Sequence, residues 1–197
     1  MRRVILISLL KFMILFGILI APWPGLKESY GSYFRALGGA VFHHEEGKRI
    51  LSFEPKLRTR GLASMDSQIV LANRELLDAQ GHGPVRVLGI DSRSIGWIPT
   101  ALTLSLILAS PVPWKRKGIS FIYGLLLIQI YILFVIAIFI WNQSTLLQLL
   151  TFSPFLKTIA DALEYTLVNQ MGAGFTAAVA IWILVTFRLK DLDFHRL

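Results

Sequence analysis

Residues Asp91–Lys117 read DSRSIGWIPTALTLSLILASPVPWKRK, and this stretch decides the fold. It opens polar, continues for about 20 residues without a charge, and closes on Lys115-Arg116-Lys117, the pattern of one helical bilayer crossing. Asp91 or Ser94 is placed to cap such a helix, with Arg93 beside it to meet a lipid phosphate or a carboxylate. Pro99 falls in the first turn or so, where a missing N–H is tolerated.

Upstream, Met1-Arg2-Arg3 precedes the apolar run Val4–Ala21. The run is long and lacks a small-x-small cleavage site, so residues 1–21 are expected to be an uncleaved anchor with a cytoplasmic N-terminus. Trp23 suits the interface, and Pro22 and Pro24 end the helix. Lys11 sits near the middle of this helix. It either pairs with an acid or extends its stem toward the interface beside Arg2 and Arg3.

Residues 22–94 are the one sizeable polar segment. LKESYGSYFRALGGAVF places Tyr30, Phe34, Leu37 and Val41 on one helical face, with Gly38-Gly39 weakening the end. Such a helix either lies on the bilayer or caps the domain. Arg49–Glu54, Leu57–Arg60, Gln68–Asn73 and Val85–Ile90 carry strand character and are separated by Pro and Gly. Strand after strand without long helices predicts an antiparallel sheet, although Ser64–Asp78 also admits a helix toward Glu75.

Downstream, Ile119–Trp141 is the clearest span, with Gln129 its one strongly polar side chain. Ser153-Pro154 then starts a helix at about 154–168. Its Lys157, Asp161 and Glu164 share one face, with Leu156, Ile159, Ala160, Leu163 and Leu167 on the other, as expected of an interfacial amphipathic helix. Met171–Phe187 makes the last crossing. Its small residues, with Gly174 and Ala178 one turn apart, let another helix approach closely, either within the chain or across an oligomer interface.

Composition agrees with this layout: the 197 residues are 54% hydrophobic and 16% charged, more apolar than a soluble core of this size requires. The net charge of +8 is placed mainly in the pieces expected to be cytoplasmic, whereas 22–94 holds ten basic and eight acidic residues. It therefore reflects membrane orientation and not a nucleic-acid footprint. With no cysteine, disulfides, thiolate metal sites and cysteine nucleophiles are excluded.

The remaining motifs are weak as chemistry. His43-His44-Glu45-Glu46 points in too many directions for one ion, and His82 lies in a glycine turn, so no metal or other cofactor is expected. Asp91-Ser92-Arg93 outlines a nucleophilic centre only if a positioned base reaches Ser92, and neither histidine nor lysine is fixed there by sequence. No P-loop, Rossmann fingerprint, HExxH or GxSxG occurs.

In layout, with one anchor, a β-rich insert, RSIGWIPTALTLSLILA, the basic turn PWKRKG and the tail FRLKDLDFHRL, the chain resembles the small membrane proteins associated with bacterial exosortase-type sorting systems. The resemblance implies an envelope accessory protein, and the exosortase cysteine has no counterpart here. The expectation is a membrane α-helical protein of the bacterial inner membrane. Four transmembrane helices, both termini cytoplasmic, carry a small extracytoplasmic α+β domain at 22–94 and a three-span region at 95–197. Its expected partners are the lipid bilayer and other membrane subunits. The alternatives are an enzyme at the outer face built on Asp91, Ser92 and Arg93, and a transport subunit using Lys11, Asp161 and Glu164.

Overall fold

Pro22 and Pro24 cannot continue a helix, and α1 (Arg2–Ile20) stops just before them. The computed structural model describes residues 2–43, 49–56, 65–77, 83–147, 149, 153–169 and 172–187. The next helix, α2 (Leu26–Phe42), begins behind Gly25, whose φ of 78° is the left-handed conformation that favours glycine. Its buried stripe is Gly31, Phe34 and Gly38. Tyr30 and Leu37 are half-buried and Val41 is exposed, so the face expected from sequence is rotated. A Cβ at Gly38 would run into the ring of Phe53, with Cδ1 at 2.8 Å. The glycine that reads as a helix weakness is a packing requirement, because only a bare backbone admits that ring.

Strands β1 (Arg49–Pro55), β2 (Ser67–Asn73) and β3 (Val85–Ile90) form an antiparallel sheet in the order β1-β2-β3. The expected strand at 57–60 lies outside the described residues. The alternative helix through Ser64–Asp78 is replaced by β2 and a single 3-10 turn at Arg74–Leu76. Pairing Leu51 with Leu71 and Phe53 with Ile69 puts these four on one face. The period of two then places Leu88 and Ile90 beside them. Leu51, Ile69, Leu71 and Ile90 are buried, and α2 packs on β1 at this face through Gly38 and Phe53. The other face carries Ile50, Val70, Val85 and Val87.

Helix α3 (Ile98–Ala109) follows a π-helical turn at Arg93–Trp97. Pro99 supplies no N–H and its ring crowds the carbonyl one turn back, and the widened turn before it relieves that clash. The hydroxyls of Thr100, Thr103 and Ser105 donate to the carbonyls of Gly96, Pro99 and Ala101, so three buried polar groups are satisfied within an apolar helix. Helix α4 (Trp114–Leu146) has 33 residues. Helix α5 (Pro154–Glu164) is capped by Ser153 Oγ, which accepts from the Leu156 amide at 3.4 Å, and continues as a π turn at Tyr165–Asn169. Helix α6 is Ala173–Thr186.

The chain is thus mostly helical with one small antiparallel sheet. By length and composition two helical stretches, Arg3–Ile20 and Trp114–Thr145, are sufficient to cross a membrane, while the apolar helices Arg93–Ala109 and Ala173–Thr186 are shorter. Contacts divide the chain into two units. One gathers α1, Gly96–Ile132 and α6; the other gathers α2, the sheet and the chain from Leu133 through α5. The division falls inside α4. Its first part, Trp114–Ile132, spans about 28 Å at the helical rise, close to a hydrocarbon core of about 30 Å. The apolar stretch from Leu133 groups with the sheet-bearing unit, while the expected span Ile119–Trp141 lies wholly within the stretch Trp114–Thr145 that is long and apolar enough to cross a membrane.

Within the first unit, α3 packs on α1 and α6. Trp97 Nε1 donates to the Leu19 carbonyl at 2.9 Å, covering one of the acceptors left open at the end of α1. Trp182 Nε1 donates to Ser110 Oγ at 2.7 Å, and Ser120 Oγ to the Val185 carbonyl at 2.7 Å. Lys117 Nζ donates to the Leu108 carbonyl at 2.9 Å and lies 5.1 Å from the Trp114 ring centroid. One charge of the basic turn is therefore engaged in closing the C-terminus of α3.

Candidate functional site

Among the described residues, a polar cluster lies where β2 begins and β3 ends. The register pairs Ser67 with Ile90, which brings the dipeptides Asp66-Ser67 and Asp91-Ser92 to the same end of the sheet. Asp66 Oδ1 accepts from the Ser92 amide at 2.9 Å, and Oδ2 accepts from the Ser92 hydroxyl at 2.5 Å. Asp91 Oδ1 accepts from the Arg93 amide at 3.1 Å, and its Oδ2 from the Ser94 hydroxyl at 2.7 Å. The backbone of Asp66 is also fixed: its amide donates to the Ile90 carbonyl, and its own carbonyl accepts from the Lys56 amide, both at 3.2 Å.

Helix α2 closes the cluster. Arg35 Nη1 donates to Ser67 Oγ at 3.1 Å and to the Asp66 carbonyl at 3.3 Å. One turn earlier, a Cβ at Gly31 would collide with Asp66 Oδ2, so glycine is what lets the carboxylate lie against the helix. Two carboxylates thus satisfy the first amides of the helix that leads into α3, and their charge suits its positive end.

This arrangement is a double cap. Ser92 is 1% exposed and its hydroxyl proton points to a carboxylate. A nucleophile needs access to substrate as well as a base, and this geometry withholds the access. The proposed triad of residues is only partly assembled: Asp91 engages the Arg93 backbone and Ser94, not Ser92. Sequence reasoning missed Asp66, Arg35 and Gly31. The signal that points to them is the repeated Asp-Ser dipeptide at ends of two strands that pair.

The other singled-out residues separate. Lys11 is exposed on α1 and makes no hydrogen bond or ion pair among the described residues. Gly174 lies against Pro99, where a Cβ would come 2.8 Å from the proline Cγ, and Ala178 is fully buried. The small-residue face of α6 is therefore engaged within the chain, on the α3 side. Asp161 is exposed. Glu164 is half-buried and accepts from Asn142 Nδ2 on α4. Burial first, then the nearby Asp161 charge, raises its carboxyl above the usual range.

Across β2, Asn73 is buried; its Nδ2 donates to the Leu147 carbonyl at 3.0 Å and its Oδ1 accepts from the Glu75 amide at 3.1 Å. It ties the strand to the end of α4. His43 is exposed at the end of α2, His44–Glu46 and His82 lie outside the described residues, and among the described residues no three His, Asp or Glu side chains gather as a metal site. Neither a family model, a curated protein nor a solved structure matches the chain.

Proposed function

We propose that this chain is a non-catalytic, multi-pass protein of a bacterial inner membrane, an accessory or assembly subunit of a complex that sorts or exports envelope proteins. In this reading α1, α3, α4 and α6 are the four spans, both termini are cytoplasmic, and 22–94 faces outward. Charge supports the orientation, since Arg3 and Lys115–Lys117 lie at ends assigned to the cytoplasm. The likeness in layout to the small proteins of exosortase-type systems supports the sorting role.

The observation that carries the binding role is the outer face of the sheet. An antiparallel sheet with one solvated face normally alternates apolar-in and polar-out. Here Val85 and Val87 are exposed on β3, Val87 at 56%, with half-buried Val70 beside Val87 on β2 and half-buried Ile50 farther across the face on β1. An apolar row in that place fits the extracytoplasmic domain of a partner subunit. The enzymatic alternative is disfavoured because Ser92 is hidden and engaged as a cap.

Purification of the tagged chain from its native membrane is the test. The expected result is a stoichiometric complex that survives washing and is lost in Val87→Glu, a substitution at an exposed position that leaves the domain folded. A solitary protein that turns over a lipid or peptide would replace this account with the enzymatic one.

A further inference from the structure

The exposed side of α1 has an order that neither its packing in the chain nor lipid requires. Ser8, Phe12, Leu15, Phe16, Leu19 and Ile20 are the half-buried positions, and the spacing of the first five marks one stripe; Phe12 and Phe16 stack there with ring centroids 5.6 Å apart. About a quarter turn away run Val4, Ile7, Lys11 and Ile14, at alternating spacings of three and four, and the spacing continues to Ile18. The four apolar members are about half exposed, from 50% at Ile18 to 53% at Ile7. The leucines Leu6, Leu9 and Leu10, with Met13, occupy the other exposed side. Alternating threes and fours with β-branched side chains form the seam of a left-handed helix pair, and one charged residue at such a seam fixes register and partner.

We infer that the Val4–Ile7–Lys11–Ile14 seam docks a transmembrane helix of another protein that presents a carboxylate at the depth of Lys11. Charge selects this occupant. A second copy of the chain would enter the membrane in the same orientation and bring Lys11 against Lys11, two like charges in a low-dielectric medium. Lipid alone leaves the ammonium short of the basic end: the Lys11 backbone stands about 12 Å along the helix from Arg3 and about 14 Å from Ile20, more than its four-carbon stem can cross. An intramembrane lysine characteristically pairs within a bundle. The inference rests on the membrane-subunit reading and names the partner's chemistry at one surface.

The test reconstitutes the donor-labelled full-length chain in phosphatidylcholine vesicles with acceptor-labelled synthetic transmembrane peptides. These carry a Val/Ile seam and either Glu, Leu or Lys at the central seam position, and energy transfer reports association. The Glu peptide is expected to bind about tenfold tighter than the Leu peptide, and the Lys peptide weakest. Lys11→Leu should abolish the preference, Lys11→Arg should keep it, and Lys11→Glu should transfer it to the Lys peptide. Lys11 is exposed and makes no hydrogen bond or ion pair among the described residues, so these variants leave the fold intact. Equal binding of the Glu and Leu peptides, or self-association that Lys11→Leu does not change, overturns the docking. Alkaline extraction of the same vesicles separates the two levels. If the chain is released, the membrane reading falls and the docking with it; if it is retained without a charge preference, only the docking falls.

Discussion

Replacing Gly31 with alanine tests whether the Asp66 cap is built as described. Alanine in a helix interior is favoured over glycine by about 1 kcal/mol. At this site the added methyl enters the space of Asp66 Oδ2 and comes within 3.2 Å of Arg35 Nη1. The guanidinium end can swing aside, but the carboxylate is held by the Ser92 amide and hydroxyl. Overpacking of this kind costs about 1–3 kcal/mol, so Gly31→Ala should change stability by a net loss of up to about 2 kcal/mol. Asp66→Ala alone removes a helix cap and leaves the buried Ser92 hydroxyl unsatisfied, about 2–4 kcal/mol together. In that background the obstacle is gone, and Gly31→Ala should become stabilising by up to about 1 kcal/mol. The check is a double-mutant cycle by denaturant unfolding in mild detergent, where the relief of overpacking appears as a coupling of about 1–3 kcal/mol. Equal effects of Gly31→Ala in both backgrounds would refute the contact and the close-approach role of this glycine.

The paired substitution Gly174→Leu/Ala178→Leu should lower thermal stability by overpacking α6 against α3, by about 1–3 kcal/mol per site, without changing oligomeric state in detergent; loss of an oligomer at unchanged stability would place that face on another subunit. Glu164 has a folded pKa raised above its unfolded value, so its native state binds the proton more tightly than the unfolded state does. Its contribution to stability is therefore most favourable below the usual carboxylate range and is lost as pH rises through the raised folded value. Hydrogen exchange of α5 amides should show more protection at the acid side of that window, and Glu164→Gln should flatten the dependence; a rise in protection with pH would contradict it.

Much of this fold is written locally and is legible for that reason. Val85–Ile90, set off by the Gly83-Pro84 pair before it, forms the strand expected of it, and the Ser153-Pro154 cap starts its helix as such pairs do. What escapes a linear reading depends on residues brought together from far apart. Asp66 lies 26 positions from Ser92, and the repeated Asp-Ser dipeptide gains meaning only once β2 and β3 are known to pair; Asn73 lies 74 positions from Leu147, and neither carries a mark of the other. The helix α4 shows a second limit. Lipid and a protein core ask for the same side chains, so nothing in ILFVIAIFIW records that the chain from Leu133 belongs to the sheet-bearing unit. Small residues are ambiguous in the same way: Gly31 and Gly38 look like weak points until Asp66 and Phe53 are found against them, and Gly174 reads as a place of close approach without naming Pro99 as what approaches.

The native chain has no cysteine, so each introduced thiol is the only one present and its accessibility can be read directly. Ser52, on the outer face of the sheet, and Gly118, at the basic turn where a side chain meets open space, lie on opposite sides of the membrane in the proposed topology. In intact cells a membrane-impermeant maleimide should label Ser52→Cys at once and Gly118→Cys only after the membrane is opened. Labelling of Gly118→Cys from outside with Ser52→Cys protected would contradict the topology and every functional proposal built on it.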